Sequence, residues 1–178
     1  MTRFVALLRG INVGGHRVKM DHLRALFIDM GFEDVSTFIA SGNVLFTAEA
    51  DDGQAVTARI EGALADSLGY GVETFLRTPE ELRAVIDFTP PGHDEARSLY
   101  VAFLKNEPDA AVRARFDEIG SPRDRFTFHG REIYWSIDGK LSESPLFTGS
   151  ALDKAFGDVR STTRNITSLR RLVAKAEA

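Results

Sequence analysis

A basic, glycine-rich segment near the N-terminus has the residue types that bind anions. It reads Arg9-Gly10-Ile11-Asn12-Val13-Gly14-Gly15 and is followed by Lys19. The Gly14-Gly15 pair lets backbone N–H groups approach a ligand closely. Arg9 supplies a guanidinium fork, Lys19 a point charge, and Asn12 both a donor and an acceptor. The pattern favours a small anionic ligand, while a plain glycine turn before a helix fits the same residues.

Two further polar segments could contribute to such a site. Ser41-Gly42-Asn43 separates two predicted strands and is typical of a hairpin turn. Thr162-Thr163-Arg164-Asn165 leads into the last predicted helix, where hydroxyls, a guanidinium and the helix dipole favour an anion. Simple N-capping by Asn165 beside a surface Arg164 accounts for the second segment equally well.

Several kinds of chemistry are excluded or unsupported. The chain has no Cys, so disulfides, thiol catalysis and Cys-ligated metals are excluded. None of its four His residues has a partner at zinc-binding spacing, and we expect no metal. His16-Arg17 stand where a P-loop needs Lys and Ser/Thr, which argues against an NTPase. The spacing of the remaining polar residues identifies no catalytic set, and the cofactor is unknown.

Bulk charge bears on the kind of partner. The net charge is −4, yet residues 154–178 hold six basic and two acidic residues, so this stretch carries +4 and the rest −8. An acidic chain is a poor candidate for a wide nucleic-acid surface but is compatible with a small anionic ligand. The apolar run Phe4–Leu8 is shorter than the roughly 7–15 residues of a secretory signal. We therefore expect a cytoplasmic protein without a membrane partner.

The elements that position these segments follow from hydrophobic periodicity and turn signals. Strands are predicted at residues 3–9, 35–40, 43–47 and 72–77 in the first half, and at 98–105, 123–128, 132–137 and 159–162 in the second. Amphipathic helices follow the first and third strand of each half. The predicted class is α+β, with two ferredoxin-like β-α-β-β-α-β subdomains whose antiparallel sheets carry helices on one face, plus a C-terminal helix. Two unrelated α+β halves are the alternative.

The predicted boundary lies at a capped connecting helix. Thr78-Pro79-Glu80-Glu81 has a capping box, and Thr89-Pro90-Pro91-Gly92 breaks the helix. The expected division is therefore residues 1–77, a connection at 78–92, and residues 93–178. The repeated order of elements suggests an internal duplication.

Strand direction places two of the polar segments together. In a ferredoxin-like unit the loop after the first strand and the turn between the second and third strands lie at the same end of the sheet. In the first half these are residues 9–19 and 41–43. The equivalent loop of the second half, Lys105-Asn106-Glu107-Pro108, has no glycines. We therefore expect one site, and not two.

The motifs together resemble a known family. Arg9–Gly15, Lys19-Met20, Ser41-Gly42-Asn43-Val44 and Thr162–Asn165 are similar to those of the domain-of-unknown-function 1697 family of bacterial proteins. The resemblance covers the whole chain and implies two ferredoxin-like subdomains. It implies no activity, but it favours a shared polar site at these motifs. Ile166 departs from the Trp that the family commonly has.

Three functional hypotheses follow. The first is a site for a nucleotide or another phosphate-bearing anion at residues 9–19 and 41–43, joined by 162–165 if that segment lies nearby. The second is a nucleic-acid-binding module that uses a ferredoxin-like sheet and the basic last helix. Phe4 and Phe46 on neighbouring strands imitate the stacking aromatics of an RNA-recognition sheet, but the basic-glycine-aromatic signature of its central strand is missing. The third is a structural or partner-binding protein whose motifs only hold turns and caps. No reaction and no oligomeric state are assigned.

Overall fold

The computed structural model describes residues 1–39, 42–49 and 52–178, which form two compact units. The first unit consists of Met1–Ala84 with Arg171–Ala178, and the second of Val85–Arg170. The division expected at residues 77 and 93 stays a prediction.

The first unit has the β-α-β-β-α-β order expected. Its elements are β1 (Thr2–Leu8), α1 (Met20–Asp29), β2 (Glu33–Phe38), β3 (Asn43–Ala48), α2 (Gly53–Leu68) and β4 (Thr74–Arg77), with α3 (Pro79–Asp87) following. All strand pairs are antiparallel, and the strand order across the sheet is β2-β3-β1-β4. This is the ferredoxin-like arrangement. The expected strand end at Ala40 lies outside the described residues.

Local sequence signals explain where these helices begin and end. Asp52 caps α2 by accepting a hydrogen bond from the Gln54 N–H at 2.9 Å, and Gly69 ends the helix at φ +80°. The predicted capping box of α3 is confirmed: Thr78 N–H donates to the Glu81 carboxylate at 2.8 Å, and Glu81 N–H to the Thr78 hydroxyl at 3.2 Å. By contrast, α1 begins after Lys19 without a side-chain cap.

The main core of the first unit lies between its sheet and the helices α1 and α2. Phe4, Val44 and Phe46 from the sheet pack against Phe27 of α1 and Leu64 of α2. The strand residues alternate between the two sheet faces, so a register set by β1 and β3 fixes which side chains meet the helices.

The second unit repeats this order. Its elements are β5 (Arg97–Phe103), α4 (Ala110–Ile119), β6 (Asp124–His129), β7 (Glu132–Asp138), α5 (Ala151–Phe156), β8 (Thr162–Asn165) and α6 (Ile166–Glu177), with a short 3-10 turn at Leu141–Glu143. The strand order is β6-β7-β5-β8, again antiparallel. The α+β class with two four-stranded antiparallel sheets and a C-terminal helix is thereby confirmed.

The strand predicted at residues 159–162 is wrong. The structure has strand β8 at Thr162–Asn165, where Thr163 pairs with Ala102 and Arg164 with Val101 of β5. Val159 instead packs as a partly buried residue against the hydrophobic cluster of the second unit. Its apolar character therefore reflects core packing and not strand pairing.

The two units also share a buried arginine at one register position. Arg77 of β4 pairs with Val5 of β1, and Arg164 of β8 pairs with Val101 of β5. Both arginines are buried, at 1% and 8% exposure. An internal duplication would produce such an equivalence. The duplication itself stays a prediction.

Candidate functional site

Three loops of the first unit meet at one end of its sheet. The Leu8 N–H donates to the carbonyl oxygen of Gly42 at 2.8 Å, which joins the end of β1 to the hairpin turn. The Arg9 N–H donates to the Glu73 carbonyl at 2.9 Å, which adds the loop between α2 and β4. The loop 9–19 and the turn therefore lie together, as strand direction predicts.

Gly42 brings the hairpin turn into direct contact with the glycine-rich loop. A Cβ at this position would lie 3.1 Å from the Cβ of Ile11 and 3.2 Å from that of Leu8. Gly42 also has φ +83°, which favours glycine. Ile11 is buried, so it anchors the loop, whereas residues 13–17 farther along are exposed. Ser41, the remaining predicted residue of this turn, lies outside the described residues.

The two predicted amides hold the backbone. The side-chain oxygen of Asn12 accepts a hydrogen bond from the Val18 N–H at 2.7 Å, and Asn12 itself has φ +59°. The side-chain nitrogen of Asn43 donates to the Phe38 carbonyl at 2.9 Å, and Asn43 is 1% exposed. Asn12 closes the loop and Asn43 closes the hairpin.

The tip of the loop is a tight turn. The His16 N–H donates to the Val13 carbonyl at 3.2 Å, and the first central residue, Gly14, has φ +61°. Positive φ at this position is characteristic of a type II′ turn. Residues 13–17 are all exposed, so the N–H groups of Gly14 and Gly15 are near solvent.

Cationic side chains follow this tip. Arg17 and Lys19 are exposed, and the side chain of neither has a hydrogen bond or ion pair with any residue in the described ranges. Arg9 is exposed too, although its side chain or backbone has further contacts within the chain. Lys19 directly precedes α1, whose first N–H groups lack a side-chain cap. Positive charge and the positive end of a helix dipole are thereby brought together.

Tyr70 is a residue of this end that the sequence interpretation missed. Its ring lies against that of His16, with centroids 3.9 Å apart and an interplanar angle of 38°. Its hydroxyl is buried and has no hydrogen-bond partner among the described residues. The strand-direction argument could have found it, because the loop between the second helix and the fourth strand lies at the same end of a ferredoxin-like sheet.

The third predicted segment belongs to the second unit. Thr163 is exposed on β8, whereas Arg164 is buried and donates to the Thr162 hydroxyl at 2.6 Å and the Thr163 carbonyl at 3.1 Å. Burial lowers the pKa of Arg164 to about 10, so it stays charged at neutral pH. The interpretation of Arg164 as a surface residue at a helix N-terminus is therefore wrong.

The start of α6 shows plain capping. The side-chain oxygen of Asn165 accepts from the Thr167 N–H at 2.7 Å, as predicted for an N-cap. Ile166, which stands where the family commonly has Trp, is 8% exposed. Its burial favours a packing role for this position.

Features that would serve nucleic-acid binding are used in packing. Phe4 and Phe46 lie in the core with ring centroids 5.8 Å apart. Within the first unit, Lys175 donates to the Thr37 carbonyl at 2.8 Å, and both Lys175 and Arg171 lie over the Phe38 ring. In the part of the chain that the structure describes, no helix is long and apolar enough to cross a bilayer.

The fold and this end of the first sheet define a tandem ferredoxin-like α+β protein with a basic, glycine-rich loop. The chain belongs to the family described as "Protein of unknown function (DUF1697)", whose family model matches residues 1–134. No curated protein matches it. The fold is similar to that of the conserved bacterial protein SP0830 from Streptococcus pneumoniae, with a TM-score of 0.75 and 23% identity, over 100% of this chain and 99% of that one. At that identity the likeness concerns the fold alone.

Proposed function

We propose that the first unit binds a small phosphate-bearing anion at the end of its sheet, between the loop 9–19 and the turn at Gly42. The observation that carries the proposal is the pair Arg17 and Lys19, whose side chains are exposed and have no partner among the described residues. What distinguishes these two cations from other unpaired surface cations is their position, directly after the exposed Gly14-Gly15 turn and at the uncapped start of α1.

The backbone supports the same ligand chemistry. The exposed turn at Gly14-Gly15 and the uncapped start of α1 both offer N–H donors. Such donors do not depend on side-chain identity and are suited to phosphate oxygens. Asn12 and Asn43 would act indirectly, because their side chains hold the loop and the hairpin in place.

The hypothesis that these motifs only hold turns and caps explains some of the residues at this end of the sheet and not others. If the motif served only to hold turns, Asn12, Asn43 and Gly42 would be explained by their contacts. The side chains of Arg17 and Lys19 would not, since they make no hydrogen bond that holds a turn or caps a helix. Anion binding explains both groups of residues.

Calorimetric titration of the full chain with inorganic pyrophosphate at low salt tests the proposal. The double variant Arg17→Ala/Lys19→Ala should weaken binding by about tenfold or more, because each charge-assisted hydrogen bond is worth roughly 1.5–3 kcal/mol. The control Lys154→Ala/Arg160→Ala removes two exposed cations of the second unit, whose side chains have no partner among the described residues either. It makes the same change in net charge and should leave affinity within about twofold, since neither residue belongs to the proposed site.

Two results would refute the proposal. One is the absence of any heat of binding with the wild-type protein. The other is an equal loss of affinity in both double variants, which would mean that pyrophosphate responds to net charge and not to this loop.

A further inference from the structure

Two aromatic rings in contact beside the basic loop bear on which phosphate-bearing anion fits. His16 lies on Tyr70 with ring centroids 3.9 Å apart. Tyr70 in turn packs, partly buried, against the core of the first unit. The imidazole is therefore supported from one side by a ring that the core holds in place.

The imidazole is not enclosed by this contact. His16 is exposed although its ring touches that of Tyr70, which leaves ring surface for a ligand. Its backbone is also fixed, because the His16 N–H bonds to the Val13 carbonyl across the Gly14-Gly15 turn. A flat, fixed and open aromatic surface is what a nucleobase stacks on.

The distance to the cations suits the same ligand. Arg17 is the next residue along the chain, and Lys19 lies three residues from His16, within about 11 Å even if that stretch is fully extended. A sugar that joins a base to a phosphate bridges a gap of this size.

The Tyr70 hydroxyl is an independent sign that this end is incomplete. It is buried and has no hydrogen-bond partner among residues 1–39, 42–49 and 52–178. Buried hydroxyls without partners are uncommon in folded proteins, and a bound ligand or water is a frequent reason for one. This hydroxyl belongs to the ring that supports His16.

We infer that the ligand is a nucleotide, with its base stacked on the open face of His16 above Tyr70 and its phosphate held by Arg17 and Lys19. The inference rests on the proposed anion site and adds the base. Stacking needs no particular hydrogen-bond pattern, so the His16 ring accepts the aromatic face of any base.

A matched pair of probes tests the inference. AMP and ribose 5-phosphate carry the same phosphate ester on the same sugar and differ by the base. The wild-type protein should bind AMP roughly tenfold or more tightly than ribose 5-phosphate, the range expected for one stacked base. His16→Ala should bring the affinity for AMP down to that for ribose 5-phosphate and leave the latter unchanged. His16→Phe, which keeps an aromatic ring, should retain the preference for AMP.

The outcomes separate this inference from the proposed function. Equal, Arg17- and Lys19-dependent binding of both probes would overturn the nucleotide inference and leave the anion site standing. Binding of neither probe would overturn both. If His16→Ala loses both probes equally while its thermal unfolding matches that of the wild type, the ring contacts phosphate and does not stack on a base, and the inference fails.

Discussion

The backbone N–H of Leu8 and the carbonyl oxygen of Gly42 are joined by a 2.8 Å hydrogen bond, and this contact brings the glycine-rich loop and the hairpin turn together. The second unit has the equivalent bond, from the Leu104 N–H to the Arg131 carbonyl at 2.9 Å. The fold therefore builds the same junction twice. Only in the first unit does a glycine-rich segment follow it.

Gly42→Ala should destabilise the protein more than Gly10→Ala. Both glycines have positive φ, which costs an L residue about 1–2 kcal/mol. A Cβ at Gly42 would also lie 3.1 Å from the Cβ of Ile11, whereas a Cβ at Gly10 meets nothing within 4 Å. Crowding of this kind typically adds about 1–3 kcal/mol. Urea unfolding of both variants measures the difference, and equal free energies of unfolding would contradict the packing of Gly42 against the loop.

Asn12→Ala should lower the free energy of unfolding by about 1–3 kcal/mol, because it leaves the Val18 N–H without its acceptor and puts Ala at φ +59°. Asn12→Asp is the matched control, since it keeps an acceptor oxygen and tolerates the left-handed region. It should cost clearly less. If Ala and Asp prove equivalent in chemical denaturation, the amide does not close the loop.

His93 in the second unit should make stability depend on pH. Its Nδ1 lies 2.8 Å from the Ser136 hydroxyl oxygen, which also accepts from Arg97 Nε at 2.8 Å. Burial lowers the pKa of His93, Asp94 opposes that shift, and Arg97 and Arg170 add to it. Between this lowered pKa and the ordinary value near 6.5 the unfolded chain binds more protons. The contribution of His93 is thus complete above about pH 6.5 and lost as the pH falls through the folded pKa.

His93→Asn tests this point, because it places an uncharged polar group near the position of Nδ1. Between about pH 7.5 and 5.5 the wild type should lose more stability than the variant, since the variant lacks the His93 imidazole, whose pKa is lower in the folded chain than in the unfolded one. Thermal unfolding across this interval measures both slopes. Parallel slopes would show that His93 does not carry the effect.

Much of the fold could be predicted because local signals agree with the tertiary contacts. For seven of the eight strands, each described end lies within two residues of the end predicted from the apolar pattern. Gly69 and Thr78 marked a helix end and a helix start as expected. The exception is β8. Thr162-Thr163-Arg164-Asn165 has polar side chains that suit a cap, while the pairing with β5 that makes it a strand is a long-range contact.

The site was less predictable than the fold. That Asn12 and Asn43 hold backbone groups, and that Arg164 is buried, depends on where the chain folds back, which residue type does not reveal. Tyr70 was missed because an aromatic residue at the end of an amphipathic helix is usually part of the core. Its contact with His16 joins residues 54 positions apart.

The central claim, that the loop and the turn at this end bind a phosphate-bearing anion, is tested most directly by amide chemical shifts. A ¹⁵N-labelled sample of the full chain is titrated with inorganic pyrophosphate. We predict saturable shifts in the amides of Gly14, Gly15 and Gly42, with no comparable change at Gly120 or Gly157 of the second unit, and their loss in Arg17→Ala/Lys19→Ala. Unmoved amides at these three glycines up to millimolar pyrophosphate, or shifts confined to the second unit, would contradict the account.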